Sequence, residues 1–266
     1  MRGNGDTRLS YRLLVAVDIQ GYSKRDTREQ LLAQRDLCDA LDRAAHAAGL
    51  DRDRWDKQVG GDGELATLPD GTDPAAVAGD FVIGLADALR ELNRETTGAT
   101  GPATRRATGR ETGRHPLRVR LSLHHGTLTA GPFGPAGDAP IVVQRLLDAA
   151  PLRRLLHDDA DRDLACVVSD SLFEDVVRTG FCALSPDAFQ AIKVTAKGTA
   201  FRGHILTGHA ARRPAEADAR GDHHGGGDRH DGVRGDGGDC GGGGSGPGDR
   251  LVPEARVLDF PAFAVG

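Results

Sequence analysis

The sequence predicts an α+β domain, because segments with the periodicity of strands alternate with segments that have the periodicity of helices. The apolar run Leu13 to Val17 predicts a first strand over residues 11–18, and strict apolar/polar alternation predicts another over 117–123. Apolar residues recur at helical spacing between them, over 27–48 and again after Asp73-Pro74. A chain of 266 residues has room for one domain of about 200 residues with an appendage.

Composition and charge argue against two classes of partner. The net charge is −5, and no dense Lys/Arg patch is interleaved with aromatic residues, so nucleic acid is not expected to bind. The N-terminus lacks an apolar signal core and no run reaches the length of a membrane span, so we expect no membrane segment. The four cysteines have no paired spacing, which is typical of thiols in a reducing compartment. We therefore expect a cytoplasmic protein.

Two carboxylates stand out as candidate ligands. Asp62 is surrounded by Gly60, Gly61 and Gly63 between two strand-like segments, which predicts a tight turn. Asp18 ends the first predicted strand. If the two strands pair, both acids meet at one edge of a sheet, where two hard oxygen donors suit Mg²⁺ and a triphosphate. The alternative is that one acid is a hairpin residue and the other a polar strand end, with no ligand.

The predicted strand over 117–123 leads into His124, His125 and Gly126. Adjacent residues of a strand point to opposite faces, so the two histidines cannot readily share one metal ion. We interpret them as structural or surface residues.

The remaining elements follow from apolar spacing and turn residues. They are a helix over 142–150 that Pro151 ends or kinks, a strand over 164–168, a helix capped by Ser171 and Glu174, and an edge hairpin built from 192–195 and 201–206.

The chain divides into one folded domain and several low-complexity extensions. We expect residues 1–9 to be disordered and residues 10–207 to form the domain, with a mobile basic insertion over 96–115. Residues 208–250 are rich in Gly, Asp and His, which predicts a disordered tail. Residues 251–266 regain hydrophobicity, so they either dock on the domain or serve as a peptide for a protein partner.

The order of these segments resembles the class III nucleotidyl cyclase (adenylate/guanylate cyclase) catalytic domain, and in particular the divergent cyclase-like proteins of actinomycetes. The likeness covers about residues 10–207. Its motifs are 16–23 (AVDIQGYS), 61–63 (GDG), 122–126 (SLHHG) and Arg145. The resemblance implies a ferredoxin-like antiparallel sheet flanked by helices, assembled as a head-to-tail homodimer with active sites at the interface.

The resemblance also assigns a metal site. It implies that Asp18 and Asp62 hold two divalent ions, Mg²⁺ or Mn²⁺, with the Ile19 carbonyl as a further ligand. One ion would activate the ribose 3′-hydroxyl of a nucleoside triphosphate, and the other would neutralise the triphosphate.

Other residues take binding and catalytic roles by the same resemblance. The turn of Gly21, Tyr22 and Ser23 would cradle phosphate oxygens with its amides. Arg145 would balance the charge that develops on the reacting phosphorus.

The chain departs from the family in the half of the site that reads the base and orients the ribose. Gln58 stands where the family has a purine-selecting lysine, and Lys57 beside it should face the other way on a strand. Ile141 stands where an asparagine orients the ribose. Asp138 is a candidate base-reading acid.

Three functions stay open. The favoured one is a divergent cyclase-homology domain that binds Mg-nucleotide at a homodimer interface, with weak or lost activity and a regulatory role. The missing asparagine decides this order, because loss of one transition-state contact costs about 10²–10³ in rate. The alternatives are an active cyclase whose base selectivity is altered through Gln58, and a dimerisation scaffold without catalysis.

Overall fold

A computed structural model of the chain describes residues 8–98, 115–196, 198–208 and 210. In chain order the strands and helices are β1 (Ser10–Ile19), α1 (Thr27–Ala47), β2 (Asp56–Val59), β3 (Gly63–Thr67), α2 (Pro74–Ala76), a π-helical segment (Val77–Phe81), α3 (Val82–Gly98), β4 (Val119–Gly131), β5 (Gly134–Ala136), α4 (Asp138–Leu147), α5 (Ala150–Asp158), β6 (Leu164–Ser169), α6 (Asp170–Leu172), a second π-helical segment (Phe173–Val177), β7 (Phe189–Ala196) and β8 (Thr199–Leu206). Short 3₁₀ turns occur at Tyr22–Lys24, Arg52–Arg54 and Pro186–Ala188.

The strands form one mixed sheet in the order β2-β3-β1-β4-β6-β8-β7, and β5 pairs with β4 beside this path. Neighbouring strands are antiparallel except β4 and β6, which are parallel. The parallel pair needs a crossover, and β5, α4 and α5 supply it. The α+β prediction is confirmed, as is the predicted edge hairpin, which is β7 with β8.

Helices α1 and α3 cover one face of the sheet, and each has an apolar stripe. The Asp26 carboxylate accepts a hydrogen bond from the Glu29 amide at 2.8 Å and begins α1. Asp73 does the same for the Ala75 amide at the start of α2, which continues through the π-helical segment into α3. The main core lies between α1, α3 and the odd-numbered residues of β1. Its members include Leu13, Val15, Val17, Leu37, Leu41, Phe81, Leu85 and Leu89.

Helices α4 and α5 cover the opposite face. Leu14 and Ala16 of β1 pack there with Val143 and Leu147 of α4. Side chains alternate along a strand, so Asp18 points to this same face. The fold therefore sets the first candidate ligand at the end of β1, on the α4 side.

Two local predictions were wrong. Helix α4 ends at Leu147, and Pro151 lies in the first turn of α5, where the missing proline N–H breaks no helical hydrogen bond. Ser169, rather than Ser171, caps the next helix, because its Oγ accepts from the Leu172 amide at 3.3 Å.

The predicted extensions fall mostly outside the described residues. Helix α3 extends to Gly98, inside the segment interpreted as an insertion, and residues 99–114 are not described. The predictions for residues 1–7 and for the tail beyond 210 also lie outside the described part. Among the described helices, none combines the length and apolar character that a bilayer crossing requires.

Candidate functional site

The two candidate carboxylates meet where β1 ends and β3 begins. Asp18 is paired in register with Gly63, the residue after Asp62. The Ile19 amide donates a hydrogen bond to the Asp62 carbonyl at 2.7 Å, so the two backbones are in direct contact. Two acids far apart in sequence thus lie at one edge of the sheet, as the paired-strand hypothesis requires.

Gly63 makes this close approach possible. A Cβ atom at this position would lie 1.9 Å from the Val17 carbonyl oxygen, which is backbone and cannot rotate away. Only glycine therefore lets β3 start so near β1.

Asp18 already has a cationic partner in the folded chain. Arg120 of β4 lies directly opposite it in the sheet, and its Nε and Nη2 donate to the two carboxylate oxygens at 2.8 and 2.6 Å. Burial raises the pKa of the Asp18 carboxyl, the Arg120 guanidinium opposes that rise, and the Asp62 carboxylate adds to it. Arg120 was not among the site residues predicted from the sequence, although strand alternation placed it on the polar face of the predicted strand over 117–123.

The oxygen donors at this site are of the type that a hard divalent cation prefers, but Asp18 already has a cationic partner. Asp18, Asp62 and the Ile19 carbonyl supply the oxygen ligands that Mg²⁺ and Mn²⁺ prefer. Both oxygens of Asp18 accept a hydrogen bond from Arg120, however, so a metal ion must either share the carboxylate with that guanidinium or displace it. Among the described residues, no group of three or more His, Cys, Asp or Glu side chains is arranged to hold a metal ion. The oxygen donors of Asp18, Asp62 and Ile19 therefore fit a metal ion that shares Asp18 with Arg120 or replaces Arg120 there.

The turn after β1 is tied to the Asp62 hairpin by α1. Gly21 has φ 70°, a left-handed conformation that glycine adopts without strain, and it opens the turn that contains Tyr22 and Ser23. Gln34 of α1 donates through Nε2 to the Tyr22 hydroxyl and to the Gly61 carbonyl, each at 2.7 Å. The candidate phosphate turn and the candidate metal hairpin are thereby held together, a role of Gln34 that sequence reasoning did not find.

Gln58 contacts the β4–β5 hairpin of its own chain. Its Nε2 donates to the Phe133 carbonyl at 2.7 Å, and a Cβ on Gly134 would overlap that nitrogen. Lys57 instead donates to the Arg52 carbonyl at 3.2 Å, in keeping with its place on the alternate face. The donor side of the Gln58 amide is therefore already used within the chain.

Three positions at which the family resemblance places site residues lie on helix α4, namely Asp138, Ile141 and Arg145. Asp138 is its exposed first residue, and Ile141 is 51% exposed. Arg145 is half-buried and forms no hydrogen bond or ion pair with any described residue. A single chain brings the two acids together but does not join Arg145 to them.

The two histidines serve different faces, as strand alternation predicts. His124 Nδ1 lies 2.8 Å from Ser169 Oγ, whereas His125 Nε2 lies 3.2 Å from Asp175. Burial, with a smaller contribution from His125, lowers the pKa of His124 to about 4. Both contacts are structural, and the two rings do not converge on one ion.

Solved structures show the class to which this fold corresponds. The chain is similar to the crystal structure of the guanylyl cyclase Cya2, with a TM-score of 0.52 and 14% identity over 79% of this chain and 97% of that one. It is also similar to a bacterial light-regulated adenylyl cyclase, with a TM-score of 0.50 and 18% identity over 77% of this chain and 93% of that one. No protein-family model matches the chain, and no curated protein matches it in sequence. The chain therefore has the fold of a nucleotidyl cyclase domain.

Proposed function

We propose that this chain is a divergent cyclase-homology domain that binds a Mg²⁺- or Mn²⁺-nucleoside triphosphate at a homodimer interface. In this proposal its cyclase activity is weak or lost, and its role is regulatory. The observation that carries the proposal is the backbone contact of Ile19 with Asp62, which holds Asp18 and Asp62 at one sheet edge.

The surroundings of these acids support nucleotide binding. The turn of Gly21, Tyr22 and Ser23 lies beside them and is fixed to the hairpin through Gln34. A turn that presents backbone amides next to a bound cation suits the phosphates of a nucleotide. The metal, when bound, would supply charge neutralisation for the triphosphate.

Three features support weak or absent turnover. Ile141 is exposed and apolar where the related family orients the ribose, and it cannot replace the hydrogen bonds of an amide. The Gln58 amide group is bonded to Phe133 in its own chain. Asp18 is bonded to Arg120, whose positive charge opposes a metal ion at the same carboxylate.

The homodimer is supported by what one chain leaves incomplete. Arg145 forms no bond with any described residue, and Ile141, one turn before it on α4, is an exposed apolar side chain. Phe133 in the preceding hairpin is a second exposed apolar side chain. Exposed apolar residues beside an uncommitted cation are suited to a second chain that brings an anion.

An active cyclase with altered base selectivity is the second candidate. Gln58 keeps its Oε1 free of hydrogen bonds to described residues, while its Nε2 is engaged. A free acceptor favours a base edge that offers an N–H donor. This candidate predicts a cyclic product from one nucleoside triphosphate in preference to others.

Thermal stabilisation tests the binding proposal. With ligand at about 100 times its Kd, binding to the folded state stabilises by about 2.7 kcal/mol, which raises the Tm by about 5–10 °C for a domain of this size. We expect this rise with Mn²⁺ and a nucleoside triphosphate, and we expect Asp18→Asn and Asp62→Asn to abolish it. Asp56→Asn, an exposed acid on the neighbouring strand β2, is the matched control and should keep it.

The same samples separate the alternatives. A cyclic product from the wild type, absent in Asp62→Asn, would replace the regulatory proposal with the active cyclase. No stabilisation of an intact dimer by any metal-nucleotide pair would contradict both and leave the dimerisation scaffold.

A further inference from the structure

We propose that Arg120 is a resident counter-cation that competes with divalent metal ions for Asp18 and so holds the metal site closed. The inference rests on the proposed function, because it takes Asp18 as a metal ligand. It goes further by naming a residue that sets whether the metal enters.

The geometry of the pair makes the competition direct. The two nitrogens of the Arg120 fork each reach a different oxygen of Asp18, at 2.8 and 2.6 Å. A bidentate pair of this kind is among the stronger side-chain hydrogen bonds, and it occupies one acceptor site on each oxygen. A divalent ion on Asp18 would also lie next to a positive guanidinium, which is a repulsive contact.

The position of the pair limits screening by solvent. The Arg120 side chain is 12% exposed and the Asp18 side chain is 19% exposed. Poorly solvated charges interact more strongly than surface charges, and breaking such a pair leaves an uncompensated charge. Metal binding therefore has to offset the weakening or loss of this ion pair.

The guanidinium has another acceptor besides Asp18. Arg120 Nη1 donates to the Leu147 carbonyl at the end of α4 at 3.4 Å, and Asp148 follows that residue. The carbonyl end of a helix carries partial negative charge and favours a cation. If a metal ion displaces Arg120 from Asp18, the guanidinium keeps an acceptor at the end of α4, so its release does not leave it without a partner.

Two other arginines, the half-buried Arg118 and the buried Arg52, have partners of a different kind. Arg118 donates to the carbonyls of Arg162, Leu156 and Asp159, and Arg52 pairs with Glu64 and Asp42. Those contacts fix a loop and a strand. Arg120, by contrast, is bonded to a candidate metal ligand.

Direct measurement of Mn²⁺ binding tests the competition between Arg120 and the metal ion without relying on catalysis. Isothermal titration of the full chain with Mn²⁺ would compare the wild type with Arg120→Gln, which keeps an N–H donor for Asp18 but removes the charge. We expect Arg120→Gln to bind Mn²⁺ about 10–100-fold more tightly, the range over which groups that contact metal ligands change affinity. Arg43→Gln is the matched control, because it removes the same charge from an exposed pair with Glu91 and should leave the affinity unchanged.

Two further variants make the result specific and guard against misfolding. Adding Asp18→Asn to Arg120→Gln should remove the gain, which would place the tighter site at Asp18. Arg120→Lys keeps the charge but loses the bidentate fork, so it should give a smaller gain and still report if Arg120→Gln fails to fold.

The outcomes distinguish this inference from the function on which it rests. The proposed competition by Arg120 would be wrong if the wild type, Arg120→Gln and Arg120→Lys bound Mn²⁺ with equal affinity while Asp18→Asn lost binding. The metal site at Asp18 would still stand. If no folded variant bound Mn²⁺, both the metal site and the proposed competition by Arg120 would be wrong.

Discussion

His124 gives the domain a pH dependence that can be traced to one side chain. Burial lowers its pKa in the folded state to about 4, whereas a histidine in an unfolded chain titrates near 6.5. The unfolded state therefore binds more protons between these pH values. The linkage relation then requires that stability falls as the pH drops from 6.5 toward 4.

The size of this effect follows from the pKa difference. A shift of one pKa unit corresponds to 1.36 kcal/mol, so His124 should make the wild type lose about 3 kcal/mol over that range. Urea unfolding at pH 7, 5.5 and 4.5 measures it, and His124→Gln should lose correspondingly less. His157→Gln replaces an exposed histidine and should follow the wild type. Parallel curves for the wild type and His124→Gln would contradict the assignment.

At the scale of the element, the contact between β1 and β3 depends on one missing side chain. Gly63→Ala would put a Cβ 1.9 Å from the Val17 carbonyl oxygen, so β3 must move away from β1 just where Asp62 meets Ile19. We expect a loss of about 3 kcal/mol, at the upper end of overpacking costs, together with the loss of metal-nucleotide stabilisation.

The neighbouring glycine supplies the control. A Cβ on Gly61 would meet only the Tyr22 ring, at 3.9 Å, which is ordinary contact. Gly61→Ala should therefore stay within about 1 kcal/mol of the wild type. Chemical denaturation of both variants measures the difference, and equal losses would show that the steric argument at Gly63 is incorrect.

Local sequence signals predicted the elements that local chemistry defines. The residues Asp73-Pro74, the apolar run of β1 and the alternation over 117–123 all lie within a few residues of what they determine. Pro151 was placed wrongly because proline suits the first turn of a helix as well as the end of one.

The partners of the candidate site were harder to predict because they are set by strand register and packing. Asp18 and Arg120 are 102 positions apart, and only the pairing of β1 with β4 sets them opposite each other. Gln34 meets Gly61 because α1 lies beside the Asp62 hairpin. A single sequence identifies charged and amide side chains as polar but does not say which acid or turn they will contact.

At the scale of the whole molecule, the distribution of site residues favours completion by a second chain. Asp18 and Asp62 are together at the end of β1, while Arg145 lies on α4 without a bonded partner among the described residues. An isologous dimer repeats each contact twice, so one interface can complete two sites.

Mixing two defective variants tests this arrangement. Asp62→Asn removes one acid, and Arg145→Glu sets a carboxylate where the triphosphate would bind, so each homodimer should bind no metal-nucleotide. If Arg145 acts across the interface, a mixed dimer has one site with both native residues and one with neither. Random pairing makes about half of the dimers mixed, so co-expression should restore about one quarter of the wild-type sites.

Titration with Mn²⁺ and nucleoside triphosphate counts those sites. Tagging the two variants differently and purifying on both tags should enrich the mixed dimer and raise the count to about one site per dimer. If Arg145 instead acts on the acids of its own chain, every site in every dimer keeps one defect and mixing restores nothing. A purified mixed dimer that binds no nucleotide would therefore contradict the shared site, even when each single variant behaves as expected.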